Sequence, residues 1–171
     1  NKIRFDPTNP CEDDIDIRDI AHALSMMTRA NGHFTEFYSV ARHSVNCALE
    51  ATARGYSKRV ALFCLLHDSA ESYIGDMTRP LKMHFPLFSE YEKKLQKVIF
   101  SKYATLDIDD DEKEKVKSVD DSLLYHEFLC YHGDKLFDFT PEIHIDVKDN
   151  SKNISETEKE FLCMYEALKI K

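Results

Sequence analysis

The chain has no tryptophan, and only four of its 171 residues are glycine and five are proline. So few turn formers argue against an all-β fold of many short strands and favour helices. Five cysteines occur, an odd number with no Cys-x-x-Cys pair. That usage predicts reduced thiols in a cytoplasmic protein rather than a disulfide framework. No apolar run approaches the roughly 18 residues that would span a membrane. The opening Asn1-Lys-Ile-Arg-Phe5 also lacks the apolar core of an export signal. Positive charge is scarce as well, with a formal net charge of −8. A broad nucleic-acid surface is therefore disfavoured, although one charged nucleotide can still enter a local basic pocket. The expected partners are small molecules, without a membrane or a nucleic-acid polymer.

What is present is organised around one stretch, Val60-Ala-Leu-Phe-Cys-Leu-Leu-His67-Asp68-Ser-Ala-Glu71-Ser-Tyr-Ile-Gly75-Asp76. Seven apolar residues run into a His-Asp pair, then a glutamate, then an aspartate after a glycine. A run that is apolar on every face reads as a buried helix. Burying an ionisable pair at its end is expensive unless a metal or an opposite charge compensates. Imidazole beside carboxylate suits Zn, Mn, Fe or Co.

The rest of the chain reads as one all-α domain over 1–171. Residues 1–15 hold Pro7, Pro10 and several acids and are expected to form an extended arm. A first amphipathic helix opens at Asp16, with Ile17, Ile20, Ala21, Leu24 and Met27 as its stripe, and Asn31-Gly32 stops it. A second runs from about Phe37 to Arg54, with His43 on the apolar face between Val40 and Cys47. The buried third helix spans about Ser57 to Ile74. Asp76 to Lys82 reads as a loop, because Pro80 keeps Arg79 out of helical geometry. A fourth helix follows Pro86, and a fifth, about Asp111 to Tyr131, carries Asp120-Asp121. Residues 132–154 read as an irregular excursion before a last helix, whose start has a capping box at Ser155-x-x-Glu158.

Four polar residues therefore sit where apolar side chains belong: His43, His67, Asp68 and Asp120. Asp120 lies four residues after Val116 and four before Leu124, at the centre of that helix's stripe. Asp121 is turned about 100° away. Should the three helices share one core, two imidazoles and two carboxylates meet, enough to hold a divalent ion with open positions. Taken singly, each of the four is as well explained by a hydrogen-bonded core residue or a cap. The conjunction points to a metal.

The residues also carry a resemblance. His43…His67-Asp68…Asp120 is similar to the H…HD…D signature of the HD-domain metal-dependent phosphohydrolases. The longer run Tyr38-Ser-Val-Ala-Arg-His43-Ser, then Leu65-Leu-His67-Asp68-x-x-Glu71-x-x-x-Gly75-Asp76-x-x-x-Pro80-Leu-Lys82, resembles the branch of bacterial 5′-deoxynucleotidases and related small deoxynucleotide hydrolases. Asp16-Ile-x-Asp-Ile-Ala-His-Ala-Leu and Arg29-x-Asn-Gly-His33 fit the same branch, so the likeness covers roughly residues 5 to 125.

That likeness implies a helical HD-domain bundle with one divalent ion (Co, Mn, Zn, Fe or Ni) on His43, His67, Asp68 and Asp120. It implies Glu71 as the acid handling the attacking water, Asp76 near the sugar or water network, and Arg29 as a phosphate grip. It also suggests a homodimer. One position departs from the branch: its tryptophan after the arginine is Ala30 in this chain. Physically, Glu71 lies one helical turn from His67 and can reach water beside it. Arg29 is the first candidate to neutralise phosphoryl charge, with Arg79 and Lys82 next. Arg79 and Lys82 read equally as solvated loop charges, and His33 as a substrate contact or a loop anchor. Met26, Met27, Phe34, Phe37 and Tyr38 read as core.

The expected function is release of phosphate from deoxynucleoside 5′-monophosphates. The alternatives are a deoxynucleoside triphosphate triphosphohydrolase and a metal-stabilised binding domain without turnover.

Overall fold

Helical periodicity runs through most of the chain, and the computed structural model of the protein follows it. The structure describes residues 5–104, 108–147 and 152–170, with the side chain of Arg79 outside the description. Among the described residues there are eight α-helices and no strand beyond one isolated bridge. The helices are α1 Ile17–Met26, α2 Val40–Ala53, α3 Lys58–Leu66, α4 Glu71–Ile74, α5 Arg79–Lys82, α6 Pro86–Ala104, α7 Asp110–Tyr131 and α8 Ile154–Leu168. The fold is all-α, as expected.

Helix α2 is the central element and packs against α1, α3, α7 and α8. Only Leu49 and its last two residues reach solvent. Small side chains at Ala41, Ser44, Cys47, Ala48 and Ala51 let its neighbours approach closely, and all five are buried. Helix α3 supplies the bulk: Leu62, Phe63, Leu65 and Leu66 have no exposed surface. Each such burial is worth about 1.5–3 kcal/mol.

Several boundaries differ from the sequence reading. Helix α1 ends at Met26, before Asn31-Gly32, because residues 27–40 fold back as a pinned loop. Arg29 N–H donates to Tyr38 C=O at 2.8 Å and Val40 N–H to Met27 C=O at 3.0 Å. Helix α2 begins at Val40 because the Ser39 side chain accepts from Arg42 N–H. The N-terminal arm contains a single 3₁₀ turn, Glu12–Asp14, held onto α6 by Lys102, whose Nζ donates to Glu12 C=O and Ile15 C=O. Residues 1–4 of the arm lie outside the described residues. Arg79–Lys82 is a helical turn, not a loop, since proline is tolerated within the first positions of a helix. The last helix is capped two residues earlier than expected, by an Asn153–Glu156 capping box. Met26 and Phe37 are 56% and 45% exposed, so neither is core. The excursion after α7 is without helix or strand over 132–147, and residues 148–151 lie outside the described residues.

The largest departure is at the centre of the organising stretch, where one expected helix is two, α3 and α4. The cause is Gln96 on α6. Its Nε2 donates to Leu66 C=O at 2.7 Å and its Oε1 accepts from Ala70 N–H at 3.0 Å. Those two backbone groups would bond each other in an uninterrupted helix. The inserted amide opens the ladder and leaves residues 67–70 as turns, a recognised way to break a helix.

Replacing Gln96 by leucine removes both hydrogen bonds while keeping bulk. We expect a loss of about 1–3 kcal/mol, seen as a fall in Tm of about 2–8 °C in thermal unfolding. An unchanged Tm would mean that α3 and α4 simply join without the bridge.

Candidate metal centre

Three elements deliver four side chains to one point. His43 comes from the middle of α2, His67 and Asp68 from the break after α3, and Asp120 from α7. His43 Nε2 lies 3.3 Å from His67 Nε2, 3.2 Å from Asp120 Oδ1 and 3.7 Å from Asp68 Oδ2. His67 Nε2 lies 3.3 Å from Asp68 Oδ2 and 3.7 Å from Asp120 Oδ1. Ligand bonds of about 2.0–2.2 Å at tetrahedral or octahedral angles put donor atoms about 3.0–3.6 Å apart. Of the five separations, 3.2, 3.3 and 3.3 Å fall in that range and the two at 3.7 Å lie just above it.

Both imidazoles present the same nitrogen. His43 Nδ1 lies 2.7 Å from Glu127 Oε1 and His67 Nδ1 lies 2.7 Å from the Cys64 carbonyl oxygen. An N–H at each Nδ1 can donate to these acceptors, which turns each Nε2 toward the centre as in metal-binding histidines, its lone pair available once the ring is neutral. Cys47, one turn beyond His43, has Sγ 3.5 Å from His43 Nε2. The donor atoms of His43, Cys47 and His67 all lie within 4.8 Å of one another, and this group could hold a metal ion. Burial pushes the Cys47 thiol well above its ordinary pKa, so deprotonation is unfavourable there. The carboxylates of Asp68 and Asp120 are the readier anionic donors. Asp121 points elsewhere and pairs with Lys117.

Glu127 was not anticipated. It is fully buried on α7, accepts from Tyr38 O–H at 2.9 Å, and faces Arg29 Nη2 at 3.3 Å. Asn46 Nδ2 donates to the same Tyr38 oxygen at 2.8 Å. The signal was present in the chain: Glu127 follows Asp120 by seven residues, two helical turns along the same face. A second acid on a buried stripe is as conspicuous as the first.

The electrostatics ask for a cation. Burial resists ionisation of Asp68 and Asp120, yet both are held well below the ordinary carboxylate range, Asp68 by the charge of His67 and Asp120 by hydrogen bonds from His43 and His67. Conversely, burial opposes protonation of His43 and His67, but the carboxylates overcome it and raise both. The imidazoles thus stand in as cations where a metal would sit. Glu71 is 6% exposed, and its Oε2 has no hydrogen-bond partner among the described residues. Burial first, then Asp68 and Asp76, push its carboxyl up to about 10. The donor set and this orphaned oxygen fit a divalent ion with water or substrate beside it.

Glu71 faces a cavity of about 370 Å³ whose lining includes Arg29, Ala30, Asp68, Asp76, Lys82 and Asp120. Leu124, Phe128 and Leu136 give it an apolar side. Arg29 is clasped by Asp68 at 3.4 Å and Glu127 at 3.3 Å. Lys82 lines the cavity while pairing with Glu92 at 2.5 Å. The sequence-predicted group is therefore brought together except at two positions. His33 is exposed, closes the Arg29–Gly32 turn through its backbone, and is not in the cavity wall. The Arg79 side chain lies outside the described residues.

No protein-family model matches the chain. It is 40% identical over 92 residues to the uncharacterized protein YfdR of Escherichia coli (strain K12), covering 54% of this chain and 49% of that protein. It is 44% identical over 84 residues to an uncharacterized protein of Rhodobacter capsulatus, covering 46% and 42% respectively. The match thus spans about half the length of these relatives or less.

Because the two histidines are protonated more readily than usual, a metal must displace their protons. The sign follows directly: affinity rises as pH rises, with more protons released at the lower pH. Calorimetric titration with Co²⁺ or Zn²⁺ between about pH 6 and about pH 8, in buffers of different ionisation enthalpy, measures both. Glu127→Gln is expected to weaken metal binding about 10–100-fold. Asp120→Asn is expected to weaken it more than Asp121→Asn, and the reverse order would assign the ligand to the wrong carboxylate.

Proposed function

We propose that the chain is an HD-domain-type, metal-dependent phosphohydrolase acting on nucleotides, with deoxynucleoside 5′-monophosphates as the preferred substrates. The observation that carries this reading is the meeting of four donor atoms from His43, His67, Asp68 and Asp120 beside an unpartnered buried glutamate and an arginine. A purely structural metal site has no use for Glu71, Asp76 and Arg29 in one cavity.

A divalent ion at this point would polarise a phosphoryl oxygen and acidify a coordinated water. The protein's own groups do the rest. Arg29, held by Asp68 and Glu127, offers a fixed positive charge to phosphoryl oxygens in a water-poor site. Lys82 adds a second cation at the same cavity. Glu71 accepts the proton of the attacking water. Its high pKa arises from burial and the neighbouring acids, and a dication on Asp68 would reverse that local charge and favour the carboxylate form. The apolar side chains Leu124, Phe128 and Leu136 receive the sugar and base, and Asp76 sits where a sugar hydroxyl can donate to it. Ala30 supplies no aromatic face, leaving that part of the cavity open.

Metal-loaded protein is expected to release orthophosphate from deoxynucleoside 5′-monophosphates, measured across a panel of ribo- and deoxy-mono- and triphosphates. Glu71→Gln is expected to lower turnover about 10²–10⁴-fold while retaining metal. Absence of turnover with every divalent metal would sink the hydrolase reading in favour of a metal-stabilised binding domain.

A further inference from the structure

A second opening reaches the same centre. Helices α6 and α7 both pack on α3 and leave a groove of about 760 Å³ between them. Its inner end is formed by His67 and Asp120, two of the four candidate ligands. Asp120 also lines the smaller cavity described above, so the centre meets two openings of different character. One mixes acids and apolar side chains with Arg29 and Lys82. The other is walled by lysines.

The lysines form two rows. Lys93 and Lys97 stand one turn apart on α6, and Lys113 and Lys117 one turn apart on α7. Phe100, buttressed by Phe63 at 4.9 Å between ring centroids, and Val116 contribute an apolar floor. Lys113 and Lys117 pair with Asp110 and Asp121. No such ion pair anchors Lys93 or Lys97 among the described residues. Asp120, already committed to the centre, supplies the carboxylate in this lining. In a chain of net charge −8, Lys93 and Lys97 add two unoffset ammonium groups to a groove whose other wall already carries the ion-paired Lys113 and Lys117. Such a concentration of positive charge favours an anion that extends along it.

We propose that this groove is a subsite for a linear oligophosphate, with one phosphate at the metal centre and the next phosphates between the two lysine rows. The proposal rests on the phosphohydrolase reading, since it takes a phosphate at the centre as its starting point. The ligand class covers free pyrophosphate or triphosphate and the phosphate tail of a nucleoside triphosphate. Lysine suits this task because its compact ammonium engages phosphate as a point charge, without fixed geometry. The volume is that of a small-molecule site.

The test is a binding measurement that does not need turnover. Orthophosphate, pyrophosphate, tripolyphosphate and a deoxynucleoside triphosphate are titrated calorimetrically into apo and metal-loaded protein at about 0.1 M salt. The wild-type protein is expected to bind tripolyphosphate about tenfold more tightly than orthophosphate. The double variant Lys93→Ala/Lys97→Ala is expected to lose that preference while keeping its orthophosphate affinity, metal content and Tm. Lys93→Glu/Lys97→Glu is expected to reverse it. Equal affinity for the two anions in the wild type, or a preference that survives in both variants, overturns the groove assignment. Chelation of metal by tripolyphosphate cannot imitate the expected result, because the preference is also read in apo protein. Tighter binding of the nucleoside triphosphate than of tripolyphosphate would support a nucleotide tail as occupant, and the converse a free oligophosphate. Failure of monophosphate turnover would remove the hydrolase reading and leave this lysine-dependent binding to stand or fall on its own.

Discussion

The 2.7 Å contact between His43 Nδ1 and Glu127 Oε1 holds the centre of the molecule in register. Glu127 is fully buried, and an unpaired carboxylate there would cost several kcal/mol. His43, Tyr38 and Arg29 all turn toward it. That fixes α7 against α2, and with α7 comes Asp120, two turns earlier on the same face. The pinned loop that carries Arg29 is tied to the same helix from below. Phe34 packs edge-on against Phe128 at 5.1 Å, and Thr35 N–H donates to Tyr131 C=O at 3.0 Å. One buried acid thus orients a candidate ligand, a candidate phosphate grip and the helix bearing another ligand.

Such an arrangement is costly locally, and the cost is visible in the backbone. Ala30 and Asn31 have φ of 50° and 51°, in the left-handed region, immediately after Arg29. For alanine that conformation costs about 1–2 kcal/mol. Strain of this kind persists where the surroundings over-determine the chain. Here the backbone bonds between residues 27–29 and 38–40 and the aromatic contacts of Phe34 supply that constraint. The apolar mass of α3 and the close packing around α2 provide the compensating stability. Gln96 makes a comparable exchange in the ladder, satisfying two backbone groups so that the helix can open where His67 and Asp68 are needed.

The helices were legible in the sequence because period and composition agree along them. Asp120 could be told from Asp121 on phase alone, and the structure points Asp120 at His43 and Asp121 at Lys117. The break after Leu66 was not legible, since it depends on an amide 30 residues away that no local pattern reveals. The cap at Asn153 was missed because Ser155 offers an equally good sequence match two residues too late. Glu127 escaped for a different reason. Its spacing from Asp120 was readable, but an acid's partners in a core come from tertiary contacts, here Tyr38 and Arg29. The lysine rows were invisible as a groove, because α6 and α7 become neighbours only through their common packing on α3.

The separation of charge around the centre has a further consequence. Glu71 and Asp76 lie with Arg29 and Lys82 in the smaller cavity, whereas Lys93, Lys97, Lys113 and Lys117 line the groove between α6 and α7. A phosphate drawn toward the protein meets repulsion from most of its surface, and attraction is focused where cations outnumber acids. On the phosphohydrolase reading proposed above, the acids on the cavity side would accept a proton and bind the hydroxyls of a nucleoside end. The lysines on the groove side favour further negative charge. On the proposed reading, polarity as well as shape would orient a bound nucleotide: its base side is excluded from the lysine rows by desolvation of the ammonium groups, while Arg29 and Lys82 offset the acids where its phosphate meets the cavity. An ion at the four-donor centre would sit at the boundary between those two fields, where phosphorus must be placed for either a monophosphate or a longer chain to react.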